Sequence, residues 1–233
     1  MIVRKLTLLG LMVCTMAALV AVMLIMALLA QASPIEASTC VGKVDAVVKE
    51  WGFTAYGVKG HNIVANMNPG GGSHRFFLNS VHVFNNFNDL VEIGIVWNGG
   101  DAKPHAFGVS IVGGIYQEYR WQDVEVGSVH SFAVQRISGT TWGYYFDGRL
   151  RGTKTTNMAN GIALASQERN EACPVVASTS VYALQRMDIG GAFSNWTNLQ
   201  LYRDNDPDYC LWKPSSTSFY TQLAPDPDCN LSN

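Results

Sequence analysis

The sequence predicts an all-β sandwich that follows an apolar N-terminal segment. Along most of the chain, apolar residues recur with a period of two rather than 3.6, which is typical of strands with one face in a core. These runs are rich in β-branched and aromatic residues, and clusters of Gly, Asn, Pro and Asp separate them. Many short strands at such spacing favour a sandwich or a barrel. A chain of 233 residues is long enough to bury one such core.

The chain begins with Arg4 and Lys5, followed by an uncharged apolar run over residues 6–30. A helix of that length can cross a hydrocarbon core of about 30 Å. The run ends in Ala30-Gln31-Ala32, which has the small-residue spacing that a signal peptidase recognises. We therefore predict a signal peptide over residues 1–32, with an uncleaved membrane anchor as the alternative. Either interpretation places the chain from Ser33 onward outside the cell.

The remaining chain is predicted to have three parts. A lead-in segment spans residues 33–52, the sandwich spans 53–203, and an irregular tail rich in Pro, Asp and Ser spans 204–233. The lead-in contains one candidate short amphipathic helix, with apolar residues at Val41, Val44, Val47, Val48 and Trp51. The β-branched valines weigh against that helix.

Within the sandwich the predicted strands follow one another at short intervals. They are residues 76–84, 91–97, 107–112, 116–121, 131–136, 141–146, 149–151, 181–189 and 196–202. The clearest local pattern is Asp147-Gly148 between two strand-like runs, because that pair supplies the positive φ angles of a type I′ hairpin turn.

Charge and cysteine content limit the classes of partner. The net charge is −2 and the basic residues are scattered, so the sequence lacks the clustered basic face that nucleic acid binding needs. Membrane contact is expected only through residues 6–30 if these are not cleaved, and we expect a monomer. No spacing resembles a zinc site, so we predict no metal. Of the five cysteines, Cys14 lies inside the apolar run. The other four are an even number in an oxidising compartment, which predicts two disulfides among Cys40, Cys173, Cys210 and Cys229.

Common catalytic motifs are missing from the sequence. It has no G-x-S-x-G elbow, no H-E-x-x-H and no Walker loop. The histidines are isolated along the chain, which favours structural roles for them. Asp204, Asp206 and Asp208 begin like a calcium loop, but Tyr209 and Ser215 occupy the positions of the required Gly and Glu, so acidic turn residues are the better interpretation.

The remaining candidates are carboxylates placed on predicted strands. Glu92 lies opposite the apolar face of its strand, and its neighbour Gly94 leaves room for a ligand or for another backbone. Glu118 lies among aromatic residues, and Glu168 follows an apolar run. Two such carboxylates in one groove repel each other, so one is expected to keep its proton near neutral pH, as acid–base hydrolysis requires.

Three segments resemble the glutamic peptidases of the eqolisin and neprosin type, whose fold is a concanavalin-like jelly roll. Residues 91–94 (Val-Glu-Ile-Gly) resemble the strand with the first catalytic residue, and residues 116–121 resemble the aromatic, Glu-containing strand of the same groove. Residues 165–171 resemble the eqolisin strand with the catalytic glutamate, which places Glu168 at that position. Ile95 and Arg169 occupy positions where these families have tryptophan, so a non-catalytic relative is an alternative.

The resemblance implies a secreted, cofactor-free hydrolase of peptide bonds. Glu168 would be the general base, and a protonated Glu92 would polarise the scissile carbonyl. Substrate contacts would come from Glu118 together with the aromatic residues Trp97, Trp121 and Tyr116. Two alternatives remain: a domain that binds or cleaves polysaccharide, since tryptophans stack on sugars, and a non-enzymatic cell-surface module.

Overall fold

The computed structural model describes residues 43–66, 69, 75–170, 179–204 and 209–223. They form fifteen β-strands. The strands are β1 (Lys43–Glu50), β2 (Gly57–Ile63), β3 (Phe76–Asn86), β4 (Asp89–Asn98), β5 (His105–Val112), β6 (Ile115–Asp123), β7 (Val129–Ser138), β8 (Thr141–Phe146), β9 (Arg149–Thr155), β10 (Ile162–Asn170), β11 (Thr179–Met187), β12 (Phe193–Asn195), β13 (Leu199–Asp204), β14 (Tyr209–Ser215) and β15 (Ser218–Leu223).

The strands form two antiparallel sheets, which confirms the predicted all-β sandwich. The seven-stranded sheet has the order β13-β1-β10-β3-β4-β5-β6. The eight-stranded sheet includes the order β14-β15-β11-β2-β7-β8-β9, and β12 pairs with β11. The non-consecutive neighbours mean that the chain crosses repeatedly between the sheets, as in a jelly roll.

The core lies between the two sheets, because alternate residues of each strand point inward. Val91, Ile93 and Ile95 of β4 are buried there, against Trp142 and Tyr144 of β8. The buried polar atoms of those two aromatic residues are satisfied: the Trp142 Nε1–H donates to Met158 O at 3.0 Å, and the Tyr144 hydroxyl donates to Val109 O at 3.1 Å. The core thus combines apolar burial with hydrogen bonds that fix its largest side chains.

The expected helix in the lead-in segment is a strand. Lys43–Glu50 forms β1 and pairs with β10 on one side and β13 on the other. Val48 is fully buried in the core, whereas Val47 lies on the other face of the sheet. β-Branched valines fit a pleated strand better than a helix, and hydrogen bonds to two neighbouring strands determine the outcome.

The predicted irregular tail also contains strands. β14 and β15 form a hairpin, and β15 pairs with β11 at the edge of the eight-stranded sheet. The sandwich therefore includes β1 before residue 53 and continues past residue 203 to residue 223, so both predicted boundaries were too narrow. The predicted hairpin turn is confirmed, since Asp147 and Gly148 have φ angles of 50° and 72°.

Two further predictions lie outside the described parts of the chain. The apolar run over residues 6–30 is one of them, and the side chains of Cys40, Cys173, Cys210 and Cys229 are the other. Within the described ranges, no helix is long and apolar enough to span a membrane.

Candidate functional site

A groove of about 770 Å³ lies on the outer face of the seven-stranded sheet. Strand alternation creates it: Val91, Ile93 and Ile95 fill the core, while Leu90, Glu92 and Val96 point the other way. Its walls are mostly apolar, and among the described side chains that line it none is lysine or arginine. The lining comprises Val47, Phe76, Leu78, His82, Phe84, Asn86, Phe87, Leu90, Glu92, Val96, Asn98, Phe107, Val109, Ile111, Tyr116, Glu118, Leu164 and Glu168.

The structure brings all three predicted carboxylates into this groove. Glu92 comes from β4 and is 9% exposed, Glu118 comes from β6, and Glu168 comes from β10. In the strand register Glu92 pairs with Val109 of β5, and Val109 pairs with Glu118. Glu92 and Glu118 therefore lie on one row across the sheet, with a single strand between them.

Glu168 lies on a different row of the sheet. The row of Glu92 reaches β10 at Leu164, and Glu168 is four residues further along that strand. The row halfway between them contains the small residues Ser166, Ser80 and Gly94. On these three strands nothing bulkier than a serine stands between the rows of Glu92 and Glu168, and both serines are fully buried, so they lie below the surface that a substrate could contact.

The two serines of this intermediate row form a buried hydrogen-bonded pair. The Ser80 and Ser166 hydroxyls are 2.8 Å apart, and both residues are fully buried. The Ser166 hydroxyl also lies 3.5 Å from Glu168 Oε1, to which it donates. A hydroxyl that donates to a carboxylate favours its charged form and restrains its position. Glu168 is thereby attached to the floor of the groove.

Position 94 of this row is a glycine because the neighbouring backbone comes very close. A Cβ at that position would lie 2.0 Å from Asn79 O and 2.7 Å from Ser80 Cα. Of the two sequence-based reasons for this glycine, the approach of another backbone is the one that the structure supports.

The Tyr116 hydroxyl binds one of the three carboxylates. It donates to Glu118 Oε2 at 2.7 Å. Partial burial raises the pKa of Tyr116 above its usual value, and the hydrogen bond to Glu118 and the negative charges of Glu118, Glu92 and Glu168 raise it further. Tyr116 is therefore a hydrogen-bond donor throughout the physiological pH range.

The two predicted tryptophan contacts lie elsewhere. Trp97 is 6% exposed on the inner face of β4, where its indole Nε1–H donates to Asp101 O at 3.0 Å. Trp121 packs on the inner side of β6, with its ring 5.8 Å from that of Tyr144. Neither residue lines the groove. Both positions follow from strand alternation, since Trp97 has the parity of Val91 and Trp121 has the parity opposite to Tyr116 and Glu118.

His82 is a groove residue that the sequence interpretation missed. It is 5% exposed and pairs directly with Glu92 across the β3–β4 hairpin. Counting residues outward from the Asn86–Asp89 pair would place Val83 opposite Glu92, because a β-bulge between Phe84 and Asn86 shifts the register by one residue. Sequence pattern alone therefore carried no signal for this pair. Among the described residues, no group of three or more His, Cys, Asp or Glu side chains is arranged to hold a metal ion.

Comparison with known proteins supports the fold. No protein-family model matches the sequence, and no curated protein matches it. Among solved structures, scytalido-glutamic peptidase with a peptide-based transition-state analogue has a TM-score of 0.55 at 12% identity, covering 82% of this chain and 100% of that chain. SCP-B, an eqolisin-family peptidase in complex with the tripeptide Ala-Ile-His, has a TM-score of 0.53 at 11% identity, with the same coverage. At such low identity the likeness establishes a shared fold alone.

Proposed function

We propose that the chain hydrolyses peptide bonds in the groove, with Glu92 and Glu168 as the reacting carboxyl groups. The observation that carries this proposal is their arrangement. Both lie on the same face of the sheet, in one groove, on either side of the small-residue row of Ser166, Ser80 and Gly94. An extended peptide placed along that row would have one carboxyl group on each side of it.

The two carboxyl groups would have different roles. Glu168 would take the proton of the attacking water, and a protonated Glu92 would donate to the carbonyl oxygen and stabilise the oxyanion that develops there. The hydrogen bond from the Tyr116 hydroxyl to Glu118 would hold that carboxylate at the edge of the groove. This chemistry needs no cofactor.

The composition of the groove favours a peptide over a polysaccharide. Its walls are built from Phe, Leu, Val and Ile side chains, with Phe76, Phe84 and Phe107 among them. Such walls suit apolar amino-acid side chains. The tryptophans that suggested sugar stacking, Trp97 and Trp121, pack toward the interior instead. We also propose that the protein acts outside the cell, on the basis of the apolar run over residues 6–30.

Incubation with an unfolded protein at about pH 4, near the ordinary titration range of a glutamate, tests the proposal. Mass spectrometry of the products should show cleavage by the wild type and none by the Glu92→Gln/Glu168→Gln double variant. Glu125→Gln is the matched control, because Glu125 is an exposed glutamate outside the groove, and it should cleave like the wild type.

A parallel titration with oligosaccharides separates the alternatives. A folded wild type that cleaves no more than the double variant, yet binds an oligosaccharide, would support the glycan-binding interpretation. A wild type that neither cleaves nor binds would support a non-enzymatic module.

A further inference from the structure

A second cluster of reactive side chains lies outside the groove, at one end of β7. The Ser128 Oγ is 2.8 Å from His130 Nε2, and His130 Nδ1 is 2.8 Å from Asp147 Oδ2. None of these three residues lines the groove, and β7 belongs to the opposite sheet. Serine, histidine and aspartate in a continuous hydrogen-bonded chain form the constellation that activates a serine for nucleophilic attack, and it is recognised by geometry rather than by sequence order.

The fold holds the aspartate in place. Asp147 is the first residue of the two-residue turn between β8 and β9, with a φ of 50°. Its Oδ1 accepts the Ser131 N–H at 3.0 Å, and its own N–H donates to Ser131 O at 2.8 Å. With one carboxylate oxygen held by the backbone, the other is directed at His130.

The imidazole is held in place as well. Its ring stacks on Phe146 with ring centroids 5.0 Å apart and an interplanar angle of 29°. A carboxylate beside Nδ1 favours the tautomer with the proton on that nitrogen, which leaves Nε2 as an acceptor facing the serine hydroxyl. The side chain of His130 is 14% exposed and that of Asp147 is 40% exposed, so solvent reaches the cluster.

Ser128 lies in the tight turn that leads into β7. Gly127 has a φ of 83°, and a Cβ added there would meet nothing within 4 Å, so the chain beside Ser128 is open. The Ser128 hydroxyl also contacts Glu125 O, so its proton has two acceptors and must turn toward His130 before it can be transferred.

The geometry points to Ser128 as a nucleophile that hydrolyses carboxylic esters. Its Oγ attacks the carbonyl carbon while its proton moves to His130 Nε2. The bond to the alcohol oxygen then breaks, and the alcohol leaves with the proton from Nε2. Water, deprotonated by His130, hydrolyses the acyl-serine, and the serine oxygen recovers its proton. Asp147 is a positioning residue that holds the imidazole and stabilises its protonated form.

Labelling of the full chain with an alkyl fluorophosphonate tests this assignment. Peptide mapping by mass spectrometry should find the adduct on Ser128 of the wild type, which does not depend on the folding of any variant. p-Nitrophenyl butyrate should be hydrolysed, and Ser128→Ala should abolish both reactions. Asp147→Asn keeps a residue that tolerates a positive φ but removes the charge, and it should slow labelling ~10-fold or more.

Two control variants define the outcome. Ser138→Ala removes an exposed serine of the same strand and should label normally. Glu168→Gln should also label normally, which separates this activity from that of the groove. The assignment is overturned if folded wild type carries no adduct on Ser128, or if Ser138 is labelled as fast as Ser128. If Asp147→Asn is labelled as fast as the wild type, the positioning role of Asp147 is overturned.

Discussion

His105, at the start of β5, is 1% exposed, and its Nδ1 lies 3.4 Å from Asp101 Oδ2. Burial lowers the pKa of this imidazole below its ordinary value of about 6.5, the positive charge of Arg120 lowers it further, and the Asp101 carboxylate counteracts part of the shift. A histidine with a lowered pKa is neutral in the folded state under conditions where the unfolded chain binds a proton.

The sign of the resulting pH dependence follows directly. Because the unfolded chain binds more protons below about pH 6.5, the free energy of unfolding should fall as the pH drops below that value, by at most about 1.4 kcal/mol per pH unit for this one group. His105→Gln should flatten the dependence measured by urea denaturation between pH 7 and 5. His61→Gln is the comparison variant. Burial also lowers the pKa of His61, but this imidazole is only half-buried. Equal slopes in the wild type and His105→Gln would contradict this explanation.

At the scale of single residues, the sequence identified the carboxylates but not their neighbours. Glu92, Glu118 and Glu168 stood out because a charged residue on a strand with an apolar face is uncommon. His82 and Ser166 did not stand out, because each acquires its role only through pairing with another strand. Trp97 and Trp121 were predicted to contact substrate because of their residue type, but strand alternation places both on the inner face of the sheet.

Among the strands, the closest contact near the site is the pairing of β3 and β4 at Gly94. The Gly94→Ala variant should lose about 1–3 kcal/mol of stability or more, because its Cβ would collide with backbone atoms of Asn79 and Ser80 that cannot turn away. Gly152→Ala is the matched control, since a Cβ there would meet nothing within 4 Å. Denaturant unfolding of both variants measures the difference in the free energy of unfolding. Equal stabilities would mean that β3 and β4 can move apart at this position without loss of stability.

A buried ion pair links β1 of one sheet to β11 of the other. Glu50 Oε2 lies 3.0 Å from Arg186 Nε, and Glu50 Oε1 accepts the Thr197 N–H at 3.0 Å. Glu50→Met or Arg186→Met should each cost about 3–5 kcal/mol, because one buried charge loses its partner.

The double variant, Glu50→Met with Arg186→Met, should recover part of that loss, which a double-mutant cycle measures. The exposed pair Lys103–Glu125 is the control, and Lys103→Met should leave the stability almost unchanged, because water already screens this pair. If the stability losses of the two single variants simply add in the double variant, the Glu50–Arg186 ion pair does not join the two sheets.

The β1 strand shows why some elements escape prediction. The spacing of Val44, Val47, Val48 and Trp51 fits the period of a helix, and the β-branched valines among them also suit a short strand. The local pattern alone therefore did not decide between helix and strand. The decision comes from β10 and β13, which are distant in sequence and provide hydrogen bonds on both edges of β1. β15 was missed for a similar reason, since its partner β11 lies about thirty residues away along the chain, and β14 joins the sheet through its hairpin with β15.

For the molecule as a whole, the sequence predicted the fold class better than it predicted the strands on either side of residues 53–203. Period-two patterning and turn composition were sufficient for the sandwich, because both sheets bury one face. The even cysteine count still predicts two disulfides among Cys40, Cys173, Cys210 and Cys229, with Cys210–Cys229 preferred as a short closed loop. Non-reducing peptide mapping of exported protein should find four oxidised cysteines, and four free thiols would contradict it.

The measurement that tests the carboxylate groove most directly is the cleavage rate of one unfolded substrate by three proteins in acid. Wild type, Glu168→Gln and Glu118→Gln should be compared for kcat and KM. We expect Glu168→Gln to lower kcat by about 10²–10⁴-fold, because it removes the general base, and Glu118→Gln to retain most of the activity. If Glu118→Gln is inactive while Glu168→Gln cleaves like the wild type, the reacting pair is Glu92 with Glu118 on one row of the sheet, and the assignment of Glu168 is wrong.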